Sequence, residues 1–302
     1  MVNIINLTAF SIFIFSPNVT EYVSYKEFIE KFGEEGFNLI RQAERNHTQN
    51  YSIKPEENSL IVVGDITQSM YKDILNHVIN NDIKRIIITS PGGDIDAGIS
   101  IGYLIYKHKL DIEIIDYCIS SCANYLFTAA INKTIRDGAA VIWHGNTQQK
   151  DFREFDLCGR TVSSLDGLPI DDEEIAELSS PEGQHEWRTR QKREHDFYQL
   201  IGVNDYIARV GQEPKNYGDF TMPVKYMQQF GVTNIYAPKN YAEADYCESF
   251  NKLNPSIALS CISVSETHFE YENERKMFGE RCAHDGTLII NKNSDDLPIR
   301  SR

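Results

Sequence analysis

The chain has 302 residues, 41% hydrophobic and 25% charged, enough apolar material for a sizeable core. That composition excludes a collagen-like, coiled-coil or wholly disordered chain. Lys and Arg total 30 against 44 Asp and Glu, a formal net charge of −14. A chain this acidic repels nucleic-acid phosphates and anionic lipid, so neither is expected as a general partner.

Residues 1–58 read as a lead-in. Ile4 to Phe15 is a mostly apolar run ended by Ser16-Pro17, too short to span a bilayer. It suits either the apolar part of a signal peptide, although no Lys or Arg precedes it, or a buried first strand. Residues 21–58 read as a polar helix followed by a loop. From Leu60 the pattern changes to strand–helix alternation. Leu60-Ile61-Val62-Val63 is a strand, and Met70, Ile74 and Val78 mark a helix. Arg85 to Ser90 is a strand covered on both faces, and Ile99 to Ile105 belongs to a second helix. Ile112–Tyr117 is a strand, Ser121–Ala130 a helix and Ala140–Trp143 a strand. This alternation over 59–145 is the signature of an α/β fold with right-handed crossovers.

Residues 145–185 read as an inserted loop region. Residues 151–180 within it hold nine acids against Arg153 and Arg160, read as a solvated loop. Helical pattern returns at Glu186–Leu200 and Met222–Phe230, with a strand at Asn234–Tyr236. Residues 237–302 are polar, without strong periodicity, and read as an appendage.

Three segments carry chemistry. Ser90-Pro91-Gly92-Gly93-Asp94 places a glycine pair between a buried strand and a helix. Such a turn lets the backbone approach a ligand closely, and its free N–H groups suit an anion or a developing oxyanion. Cys118-Ile119-Ser120-Ser121-Cys122 lies at the next strand-to-helix junction. A serine there is presented at the carboxyl ends of the strands, where open α/β sheets bind ligands. It could equally be a helix N-cap. Cysteine as nucleophile, or a metal held by Cys118, Cys122 and His144, are further readings, the latter lacking a fourth ligand. Val141-Ile142-Trp143-His144-Gly145 ends an apolar strand in a histidine, a suitable place for a general base.

In this order and spacing the three segments resemble the Clp protease proteolytic subunit and signal peptide peptidase branch of the ClpP/crotonase superfamily. The likeness extends to ClpP-like predicted periplasmic proteins with a Cys-x-Ser-x-Cys elbow. It covers residues 59–145 well and 219–236 loosely. The resemblance implies a β-β-α superhelical fold, with a catalytic domain over 59–236 flanked by the lead-in and the appendage. It implies Ser120 as nucleophile, His144 as general base, and the N–H groups of Gly93 and Ser121 as oxyanion hole, with Gly92 beside the substrate. The family's acid corresponds to Asp219, ahead of a helix ending in Phe230-Gly231-Val232, with Asp196 as rival. One departure is Cys118-Ile119, where an alanine pair normally precedes the nucleophile. The implied activity is a serine peptidase acting on peptide or protein, without metal or cofactor, in a homo-oligomer; an unfoldase partner is left open. A crotonase-type acyl-CoA enzyme and an inactive assembly module share the fold.

Six cysteines leave the compartment open between periplasm and cytoplasm, the even count favouring the former. Cys118 and Cys122 read as small buried packing residues. Cys158, Cys247, Cys261 and Cys282, in loop-like sequence, read as disulfide partners.

Overall fold

Short β-branched runs build the centre of the protein. In the computed structural model, which describes residues 51–159, 164–165, 168–169, 172–213 and 218–292, they form one mixed sheet flanked by helices. The strands are β1 (Tyr51–Glu56), β2 (Ser59–Gly64), β3 (Arg85–Ser90), β4 (Asp111–Ile119), β5 (Lys133–Ile135), β6 (Ala140–Ile142) and, late in the chain, Ile235–Tyr236. Their order is β1-β2-β3-β4-β5 and then Ile235–Tyr236, while β6 pairs with β4 beyond the end of β5. Every pairing is parallel except β1 with β2. Between the strands run α1 (Gln68–Asn80), whose N–H at Met70 is capped by Thr67 Oγ1, and α2 (Ile95–His108), capped by Asp94. Leu60, Ile86, Ile88, Ile112 and Ile114 of the sheet and Met70, Ile74, Ile101 and Ile105 of the helices are buried in one core.

The lead-in is partly structured differently from the sequence reading. Tyr51–Glu56 is a strand rather than loop, with Tyr51 and Ile53 turned toward the core. It accepts Pro55 because it is an edge strand. The expected signal or first strand and the polar helix lie outside the described residues.

The acid-rich segment is helical where a solvated loop was expected. It takes in α3 (Lys150–Cys158), the strand pair β7 (Ser164–Leu165) and β8 (Leu168–Pro169) and α4 (Asp172–Ser179), and is followed by α5 (Pro181–Ile201). Partners distant in sequence make the difference. Arg153 is buried between Glu213 at 2.7 Å and Glu280 at 2.9 Å, and Phe152 packs on Trp187 with ring centroids 4.4 Å apart. Farther along α5, Phe197 meets Tyr103 and Tyr125 edge-on.

The chain continues through β9 (Phe220–Thr221), α6 (Val224–Gln229), β10 (the strand Ile235–Tyr236), α7 (Ala244–Leu253), β11 (Ser260–Cys261), α8 (Glu266–Phe278), β12 (Glu280–Cys282) and β13 (Leu288–Ile290). The segment read as an appendage contributes side chains to the core. Tyr241, Tyr246, Phe250, Ile262 and Val264 are buried. The Tyr246 hydroxyl donates to the Ala139 carbonyl at 2.6 Å, and Tyr241 accepts the Val141 N–H at 3.0 Å. β11 pairs in parallel with β9. Isolated aromatics in polar sequence carry no periodicity, so this packing left no sequence pattern.

Three disulfides join Cys118 to Cys122, Cys158 to Cys282 and Cys247 to Cys261. The last four cysteines pair as expected. The packing reading of Cys118 and Cys122 is corrected: their Cα atoms are 5.2 Å apart across the elbow, within disulfide reach.

Candidate active site

The register of β4 and β6 sets the position of Ser120. Ile119 pairs with Ile142, and the Ser120 N–H donates to the Ile142 carbonyl at 3.0 Å. Ser120 itself takes φ +54°, a left-handed conformation uncommon for a side chain with a Cβ and often associated with functional turns. Ser121 is already helical, and the following Cys122–Phe127 is a π-helical turn, another feature frequent at functional sites. Ser121 stands at the N-cap position, the alternative reading of this serine pair, but its side chain makes no capping hydrogen bond. The Ser121 hydroxyl donates instead to the Gly93 carbonyl at 2.8 Å, tying the elbow to the glycine loop.

His144 is placed by a different pairing. Trp143 and Phe220 exchange both main-chain hydrogen bonds at 2.9 Å as an antiparallel bridge. In such a pair the next residue on one strand faces the preceding residue on the other. Those residues are His144 and Asp219, and His144 Nδ1 lies 3.3 Å from Asp219 Oδ1. Both side chains are largely covered, 27% and 16% exposed. Two amides hold the main chain here: Gln212 Nε2 donates to the His144 carbonyl, and Asn124 Nδ2 to the carbonyl of the next residue, Gly145, at 2.9 Å. Asp196, the rival acid, is bound to Lys192 at 2.5 Å and is 51% exposed, away from this cleft.

The glycine pair completes the arrangement. Gly92 and Gly93 have φ of +97° and +137°. The Ile66 N–H donates to the Gly92 carbonyl at 2.7 Å, and the Asp94 N–H to the Ile66 carbonyl at 2.9 Å. Gly93, between them, turns its own N–H the other way, without a hydrogen-bond partner among the described residues. The Ser121 N–H, at a helix start, has no preceding intrahelical carbonyl to bond. Gly92 does not line the cleft as expected for a substrate contact. It is buried beneath the elbow, where a Cβ would come within 2.6 Å of the Ile119 carbonyl and 2.7 Å of Ser120 Cβ.

Ser120, Ser121, His144 and Gly93 line one cleft of about 270 Å³ together with Asn124, Tyr125, Gln149, Phe152 and Arg190. Asn124 stands one turn after Ser120, a spacing that could have marked it in the sequence. Gln149, just ahead of α3, Phe152 on α3 and Arg190 on α5 reach the cleft from segments that sequence pattern did not connect with it. Behind Tyr125 lies the buried carboxyl of Glu194. Burial pushes it up to about 7, opposed by hydrogen bonds from Thr147 and from the Tyr125 hydroxyl at 2.6 Å. With Cys118 and Cys122 joined, neither sulfur is available as a thiolate nucleophile or metal ligand.

No known family profile matches the sequence, and no curated protein matches it. Among solved structures the chain is similar to a mutant of ClpP1 from Listeria monocytogenes, at 18% identity and a TM-score of 0.38, over 61% of this chain and 94% of that chain.

Proposed function

We propose that the chain is a serine peptidase of the ClpP-like kind, with Ser120 as nucleophile, His144 as general base and Asp219 as the carboxylate that orients it. The observation that carries this reading is the 3.3 Å approach of His144 Nδ1 to Asp219 in the cleft that Ser120 also lines. With Nδ1–H donated to Asp219, Nε2 is the nitrogen left to accept a proton. Ser120 Oγ attacks the substrate carbonyl and its proton passes to Nε2. The Gly93 and Ser121 N–H groups receive the oxyanion. The proton then moves to the leaving amine, and water repeats the sequence on the acyl-enzyme.

The motif resemblance supports peptide or protein as substrate and self-assembly of the chain, the latter testable by light scattering of the eluting protein. Three disulfides support an oxidising compartment such as the periplasm. The deciding experiment is labelling of the oxidised chain with a fluorophosphonate, followed by peptide mapping. Modification of Ser120 is expected and is lost in Ser120→Ala. Labelling at another residue, or none, counts against the assignment.

A further inference from the structure

We propose that the Cys118–Cys122 disulfide is a positioning element for the nucleophile, so that reactivity of the cleft is set by oxidation during folding. The inference rests on the serine-hydrolase reading above. Ser120 is midway between the two sulfur-bearing residues, whose sequence separation is 4. The bond therefore closes a short ring through the strand end, the left-handed serine and the first helical residue.

In the chain-entropy account a disulfide's contribution to global stability increases with the logarithm of the loop it closes. Cys158–Cys282 spans 124 residues and Cys247–Cys261 spans 14, against 4 here. The elbow bond is the weakest of the three as a staple of the unfolded chain, and its effect is local. What it constrains is a conformation that a residue with a Cβ does not favour. Two backbone hydrogen bonds share the task, Ser120 N–H to Ile142 and Asn124 N–H to the Ser120 carbonyl at 2.8 Å. The disulfide adds the covalent restraint that keeps Ser120 Oγ and the Ser121 N–H aimed at the same point.

Both sulfur residues are fully buried, with 0% exposure. A reductant in solution does not reach them in the native fold, so the bond is made while the chain folds rather than toggled afterwards. Two thiols give one disulfide, and the two electrons and two protons pass to a disulfide oxidant such as oxidised glutathione, which leaves as thiols.

Trypsin cleavage after Lys109 and Lys133 puts Cys118, Ser120 and Cys122 on a single peptide, so label and redox state are read together. The full chain is refolded with graded oxidised glutathione and labelled with fluorophosphonate. It is then denatured, thiol-blocked and digested. The label is expected on the disulfide form, with the doubly blocked form labelled about 100-fold more slowly, the loss typical of an ångström's misplacement. Unfolding the reduced preparation and refolding it with oxidised glutathione should restore labelling. Equal labelling of both forms overturns the positioning role and leaves the serine-hydrolase reading standing. A disulfide form that takes no label at all overturns that reading, and this inference with it.

Discussion

His144 and Asp219 face each other because their neighbours, Trp143 and Phe220, exchange two main-chain hydrogen bonds. The pairing of two buried aromatics thus brings together residues far apart in sequence. Asp219→Asn should keep this bridge and the fold while offering the imidazole a poorer partner and the wrong tautomer. Hydrolysis of a peptide or ester should fall by about 10⁴-fold, with thermal unfolding little changed. Turnover near the unmodified level would remove Asp219 from the mechanism.

Gly93→Ala should harm both activity and stability. In the structure a Cβ at Gly93 would run into the main chain of Ile66, and φ of +137° is itself unfavourable for alanine. Losing one oxyanion donor costs about 10²–10³ in turnover. Differential scanning calorimetry beside the labelling assay should show a lowered melting temperature as well. Retained labelling would place the oxyanion elsewhere.

Glu194 should make the protein less stable as pH rises toward neutrality. Its carboxyl is pushed up to about 7 in the fold, from an ordinary value of 4.5. Between those values the folded state binds more protons than the unfolded one, so stability falls as pH rises through this window. Glu194→Gln resembles the protonated carboxyl and can keep partners at Tyr125 and Thr147. Urea unfolding of the variant should show a flatter dependence between pH 4.5 and 7, with the variant gaining on the parent chain toward the upper end. Identical slopes would mean that Glu194 titrates normally.

The parallel sheet and its turns were legible because their signals are local: β-branched runs, a glycine pair, and serine and histidine at strand ends. Asp219 could be placed only by resemblance, since it reaches His144 through the pairing of Phe220 with Trp143. The helix over 150–158 was hidden because its buried base, Arg153, finds its counter-charges, Glu213 and Glu280, far along the chain, and the acid run over 172–179 masked the other. The elbow disulfide was hidden for a subtler reason. Four-residue spacing is read by default as helical packing, and the left-handed turn at Ser120, which places the two Cα atoms 5.2 Å apart across the elbow, leaves no mark in the sequence.

The ion cluster that fastens α8 to the core should dominate acid sensitivity. Arg209 is fully buried, and its guanidinium meets Glu272 at 2.7 Å. Arg275 binds the same carboxylate at 2.7 Å, and Lys276 lies at 3.2 Å. Burial alone would raise the Glu272 carboxyl, but the Arg275 hydrogen bond and the surrounding cations outweigh it and hold the group at about 2. Relative to an ordinary 4.5, that difference corresponds to on the order of 3 kcal/mol. Because the folded value is depressed, this stabilisation is complete above pH 4.5 and is lost as pH falls toward about 2. Glu272→Gln leaves Arg209 buried without a full counter-charge, so unfolding at pH 7 should become easier by about 3–5 kcal/mol. The gap between variant and parent should close progressively between pH 4.5 and about 2, where the unfolded parent binds a proton that its folded carboxylate does not. Urea titrations at pH 7 and pH 3 test both parts. A variant as stable as the parent at pH 7 would show that the cluster contributes geometry without net stability.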